Sequence, residues 1–178
     1  PEHFMIAPVL DGFSNVYREE GNYEKALNYA KWSLKIRENC FGPGHLAVAE
    51  SLYFVGWVYL HEENYADADR LFKRALALIE TILGGNHPSV AVCLDKLIEV
   101  YMGQRDYAEA LRLFDRSFGI KKEVYGQSHL LVANSHEAFG EFQQGLGNYE
   151  MAWKAFGLCL QIRLDTLGKE HPAIANTL

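Results

Sequence analysis

Leu83-Gly84-Gly85-Asn86-His87-Pro88 returns in outline 84 residues later as Leu167-Gly168-Lys169-Glu170-His171-Pro172. Half that interval, 42 residues, orders the whole chain. Tyr23, Tyr65, Tyr107 and Tyr149 obey it, as do His45, His87, His129 and His171. So do Gly42, Gly84, Gly126 and Gly168, and two alanine series, Ala26, Ala68, Ala110, Ala152 and Ala49, Ala91, Ala133, Ala175. His3 and Ala7 carry the frame back to the start. A fixed period of this size marks a solenoid, in which each unit buries its apolar face only against its neighbours.

Each unit reads as two helices. From Leu46 onward, Val48, Leu52, Val55 and Tyr59 recur at spacings of three and four, one face of a helix, until Glu62-Glu63-Asn64 breaks the pattern. From Tyr65 a second helix places Ala68, Phe72, Ala75, Leu76 and Ile79 on one face. Gly84-Gly85-Asn86 tolerates left-handed backbone and ends that helix. Pro88 suits the first turn of the next, where its missing N–H costs nothing. The first helix of each unit, A, is expected at 3–20, 45–62, 87–104 and 129–146, and the second, B, at 23–41, 65–83, 107–125 and 149–167. The fold class is therefore all-α, a right-handed α-solenoid of antiparallel helix pairs. Residues 1–178 form one domain of about four repeats, with a fifth A helix beginning at Pro172. The unfinished fifth unit predicts a piece of a longer array whose exposed ends self-associate.

Small residues explain how the pairs close. Ala26, Ala68, Ala110 and Ala152 keep each B helix tight on its A partner, and Gly56, Gly140 and Ser14 do the same from the A side. The repeated tyrosine is expected to wedge between layers. The repeated histidine is expected to pack in the link or cap the following helix, since layers roughly 10 Å apart cannot converge on one zinc ion.

Composition removes several functions. The net charge is −6, with 17 basic against 23 acidic side chains, which argues against nucleic acid as partner. No apolar run approaches the roughly 20 residues needed to span a bilayer. Cys40, Cys93 and Cys159 are odd in number and widely spaced, which fits reduced thiols in the cytoplasm rather than a disulfide framework or zinc site. No G-x-S-x-G, Walker sequence or completed G-x-G-x-x-G occurs. Neither catalysis nor any cofactor or metal is expected.

The units match the pattern W-x-x-L-G-x-x-Y…A-x-x-x-F…P: Leu52, Val55, Gly56 and Tyr59, then Ala68 and Phe72, then Pro88. The third carries Leu94, Leu97, Tyr101, Ala110 and Phe114, and the fourth keeps Gly140, Ala152 and Phe156. With its 42-residue period and Leu-Gly-x-x-His-Pro link, the chain resembles tetratricopeptide repeats of the kinesin-light-chain type. The resemblance implies a concave groove, lined mainly by the A helices, that binds peptide segments of partner proteins. Repeats of that type often carry Asn-Asn before the Leu-Ala of helix A. Here those pairs are Asp11-Gly12, Tyr53-Phe54, Asp95-Lys96 and Glu137-Ala138. The amide ladder is absent, so the resemblance carries no expectation of the acidic, Trp-containing peptides that kinesin light chains bind.

The A spans hold nine acids and two bases, so the negative charge sits on one class of helix. If those helices line a groove, it attracts basic segments; otherwise the acids are a solvating face. Tyr53, Phe54, Trp57 and His61 depart from the repeating core frame. Trp57 stands where other units have Asn15, Glu99 and Glu141. Such aromatics either form a pocket for a partner side chain or pack on a neighbouring segment. The candidate peptide-binding residues are thus Asp11, Asn15, Arg18, Glu50, Tyr53, Phe54, Trp57, His61, Asp95, Lys96, Glu99, Asn134, Glu137 and Glu141. The partner expected is a protein or peptide, basic with an apolar anchor. The alternative role is an assembly or regulatory segment that stacks on other domains or copies.

Overall fold

The computed structural model describes residues 2–168, with the side chains of residues 4–168, and every regular element among them is helical. A 3-10 turn, Glu2–Ile6, leads into α1 (Ala7–Glu19), then α2 (Tyr23–Phe41), α3 (Leu46–His61) and α4 (Tyr65–Leu83). The series continues with α5 (Pro88–Gly103), α6 (Tyr107–Tyr125), α7 (Leu130–Gly145) and α8 (Tyr149–Leu167). The four B helices start at the repeated tyrosine and stop one residue before the repeated glycine. Gly42, Gly84, Gly126 and Gly168 take φ of +80°, +90°, +84° and +80°, a conformation that favours residues without Cβ.

The later A helices begin one residue after the repeated histidine because that residue is the N-cap. Nδ1 of His45, His87 and His129 accepts from the backbone N–H of Ala47, Ser89 and Leu131 at 3.1, 3.2 and 3.1 Å. The ring nitrogen thus satisfies one of the amides a helix start leaves unpaired. The first A span, expected at 3–20, instead divides into the 3-10 turn and α1. Pro8 stands at the start of α1. It offers no N–H to a carbonyl of the preceding turn, so the α-helical ladder does not continue back through it. The fifth A helix expected from Pro172 lies outside the described residues.

The described residues form two compact units that divide between Leu113 and Phe114, within α6. In the first, Val48, Leu52 and Val55 of α3 meet Phe72 of α4 and Val90, Leu94 and Leu97 of α5 in a core closed to solvent. Gly56 lies against the Phe72 ring, where a Cβ would come within 3.1 Å. Ser14 fills the same place in α1, and its hydroxyl donates to the Ala26 carbonyl at 2.9 Å. Two of the four tyrosines wedge between layers, while Tyr107 and Tyr149 are 40% and 70% exposed. Tyr65 packs so closely on Gly103 that a Cβ there would collide with its ring, and Tyr23 stacks on His61, centroids 6.2 Å apart.

In the second unit α7 packs on α8, and Gly140 leaves room for Phe156, whose ring would stand 2.7 Å from an added Cβ. Phe114 stacks on Phe139 at 4.9 Å, and Phe118 meets His136 edge-on at 4.9 Å. Burial there holds the His136 imidazole below its usual pKa.

Candidate functional site

Three successive A helices bring one side chain each to a single point. The Arg18 guanidinium of α1 lies 3.5 Å from the centroid of the Trp57 ring of α3, and the Lys96 ammonium of α5 lies 5.5 Å from it. These residues are spaced by 39, one period less three, so each stands about one helical turn earlier in its own unit. A diagonal row across the layers results. His61 closes the cluster: its Nε2 is 3.3 Å from Arg18 Nη1 and its ring 6.0 Å from Trp57. Burial, and then the neighbouring Arg18 charge, push the His61 pKa down, so the neutral ring accepts from the guanidinium. Arg18 also bonds Glu19 at 3.1 Å, and Lys96 bonds Glu99 at 2.6 Å. Cation–π pairs of this kind contribute roughly 0.5–2 kcal/mol each, more as they are desolvated.

Asp11 of α1 and Glu137 of α7 are each paired with an arginine and do not supply the field expected of them. Asp11 is 6% exposed and forms an ion pair with Arg37 of α2 at 2.7 Å. The same guanidinium donates to the Ser51 hydroxyl of α3 at 2.6 Å, tying three helices together. Glu137 accepts twice from Arg163 of α8, at 2.9 and 2.6 Å, and Asn134 accepts from it at 3.1 Å. Asp11 and Glu137 occupy the same frame position, and so do Arg37 and Arg163. Each carboxylate is consumed in holding its own pair of helices. Asn15 and Asp95 are half-buried, and Glu50, Glu99 and Glu141 are exposed.

In the second repeat the frame positions of this ion pair hold Tyr53 and Ile79. An aromatic and an aliphatic side chain replace acid and arginine, and beside them lies an apolar cleft of about 380 Å³. Leu46, Ala49, Tyr53 and Phe54 of α3 form one wall, Ile79 and Leu83 of α4 the floor, and Ser89 and Val92 of α5 the other wall. Glu50 stands at the rim. The Tyr53 ring packs edge-on against Phe72 at 5.6 Å and Phe54 at 6.1 Å. Burial, then the charges of Glu99, Cys93 and Asp95, push its phenol up to about 12, so the ring stays neutral.

Tyr53 and Phe54 line the cleft, and Trp57, whose ring lies 6.2 Å from that of Tyr53, stands between them and the cationic cluster. The cleft residues absent from the candidate set are Leu46, Ala49, Ile79, Leu83, Ser89 and Val92. The signal that would have found them is Ile79, which stands where two sister units carry arginine. Among the described residues no group of three or more His, Cys, Asp or Glu side chains is placed to hold a metal ion. No helix among them is long and apolar enough to cross a membrane.

A sequence profile described as tetratricopeptide repeat matches residues 5–80 and 92–156. No curated protein matches the chain. Among solved structures, the chain is similar to nearly identical TPR-like repeats from Podosopora anserina, attributed to a kinesin light chain. The TM-score is 0.84 at 19% identity, covering 99% of this chain and 84% of that one. BtubC (BKLC) from P. vanneervenii aligns with TM-score 0.82 at 18% identity, covering 97% and 68% of the two chains. Aspartyl phosphate phosphatase F from Bacillus subtilis gives 0.78 at 15% identity, over 93% and 42%. At these identities the likenesses speak for the fold alone.

Proposed function

The chain belongs to the tetratricopeptide repeat family, and on that premise we propose that it is a binding scaffold rather than an enzyme, taking up a peptide segment of a partner protein on the A helices of its first unit. The observation that carries this reading is the run of aromatic side chains on α3, with Tyr53 6.1 Å from Phe54 and 6.2 Å from Trp57, beside the exposed carboxylate of Glu50. A position that is Asn15, Glu99 or Glu141 elsewhere is not required to be tryptophan by packing. Large aromatics and arginine dominate binding hot spots. The partner segment carries lysine or arginine beside an apolar side chain, drawn by Glu50, which is exposed on α3. The compartment proposed is the cytoplasm, in keeping with cysteines that are all free.

Trp57→Ala is expected to weaken peptide binding by about 2 kcal/mol or more and to leave the helical circular dichroism intact. Fluorescence polarisation with labelled basic and acidic peptides measures the first, and a thermal scan the second. Unchanged affinity, or preferential binding of acidic peptides, defeats the reading.

A second reading, assembly with another repeat or copy, is favoured by the apolar surface of α8. Trp153 is 81% and Tyr149 70% exposed, with Met151 and Leu158 half exposed. Tyr149 and Trp153, four residues apart, share one face of α8, whereas Met151 and Leu158 fall on its opposite flank. On this reading light scattering shows a concentration-dependent mass that Trp153→Lys abolishes. A strict monomer at high concentration excludes self-assembly.

A further inference from the structure

The cleft between α3, α4 and α5 exists because of two residues. In the first and fourth repeats the corresponding positions are spanned by a carboxylate–arginine pair, Asp11–Arg37 and Glu137–Arg163. In the second they are Tyr53 and Ile79, and no charge crosses the space. Ile79 is 7% exposed and forms the floor, while Val92 on the facing wall is 50% exposed, so the cleft is closed below and open at its mouth. Its volume of about 380 Å³ lies near the small end of ligand pockets, which run from about 300 to 1,000 Å³. That suits one side chain rather than an extended segment.

The rim decides the chemistry of the occupant. Glu50 is the sole charged residue of the lining; it is exposed and makes no ion pair among the described residues. The remaining polar groups are the Ser89 hydroxyl and the neutral Tyr53 phenol. A carboxylate beside an apolar hollow complements an apolar side chain whose near neighbour is a cation, and it repels one whose neighbour is an acid.

We propose that this cleft seats a single apolar side chain of the partner peptide, of leucine to phenylalanine size, with a lysine or arginine one or two residues away held by Glu50. The inference rests on the peptide-binding reading above and assigns the anchor a place distinct from the Trp57 cluster. The second repeat is then the specificity-determining layer of the first unit, and Tyr53 and Ile79 are the residues that make it so.

The probes are fluorescein-labelled Gly/Ser dodecapeptides with one central Phe flanked by Lys, by Glu or by Ser. Wild-type protein is expected to bind the Lys-flanked peptide best. Tyr53→Asp with Ile79→Arg installs the ion pair of the sister repeats in the cleft, and binding should fall about tenfold or more, a change of about 1.4 kcal/mol. Glu50→Lys should invert the preference between Lys-flanked and Glu-flanked peptides. Val92→Arg serves as an independent variant should the double change fail to fold. It covers the mouth and neutralises Glu50 from an exposed position, and the same loss is expected. If the peptide binds these variants as it binds wild type while Trp57→Ala still weakens it, the seat is elsewhere and the scaffold reading stands. If no peptide binds the wild type, both fall.

Discussion

Arg37→Met is expected to destabilise the first unit by about 3–5 kcal/mol, the cost of stranding a buried charge. The Asp11 carboxylate is almost fully enclosed, and its Oδ1 has no hydrogen-bond partner even with the arginine present. Removing the guanidinium takes away the one positive charge bonded to Oδ2 and the donor to Ser51. Against a total domain stability of about 5–15 kcal/mol, that loss is large enough to leave part of the population unfolded at room temperature. The companion expectation is the more telling one. Asp11→Tyr with Arg37→Ile copies the second repeat, and replacing a buried ion pair by apolar residues of similar volume is often neutral or stabilising. Urea unfolding of the single and double variants decides the matter. If Arg37→Met costs under about 1 kcal/mol, or the double variant fails to recover it, the pair is not the lock described here.

Phe72→Ala should cost about 3–5 kcal/mol. The ring is fully buried in α4, fills the space that Gly56 leaves in α3, and meets the edge of Tyr53. Its coupling to Gly56 gives the stronger test. In the wild type, Gly56→Ala sets a methyl about 3.1 Å from the ring, offsetting the roughly 1 kcal/mol that alanine gains over glycine in a helix. In the Phe72→Ala background the crowding is gone and the same substitution should stabilise. A thermal or urea double-mutant cycle therefore yields an interaction term of about 0.5–3 kcal/mol. Strict additivity would mean that the glycine does not serve the ring.

Most of the fold was legible because its signals are local and recur. A tyrosine that opens every B helix, a glycine that closes it and a histidine ahead of most A helices place the boundaries by themselves. The exception, the start of α1, turned on Pro8 alone. The site was less legible because charge counted along one helix carries no knowledge of its partner. Asp11 and Glu137 look like free acids until Arg37 and Arg163, 26 residues further on, are brought beside them. Trp57 was conspicuous as an aromatic in a polar column. That Arg18 and Lys96 would meet it follows from a spacing of 39, which a search at the repeat period passes over. The cleft was hidden for a related reason: it is marked by the absence of an arginine at Ile79.

The interchange of ion pair and apolar pair at one frame position has a consequence for descent. Two codon changes separate a layer that is locked from one that is hollow, so a lineage can move its receptive layer along the array without remodelling the backbone. The order of those changes is not free. Losing the arginine first strands an enclosed carboxylate, a deep fitness valley. Losing the acid first leaves an arginine whose long stem can carry its charged head toward water. From an ion-paired layer the passable route begins at the acid and runs through an arginine facing tyrosine.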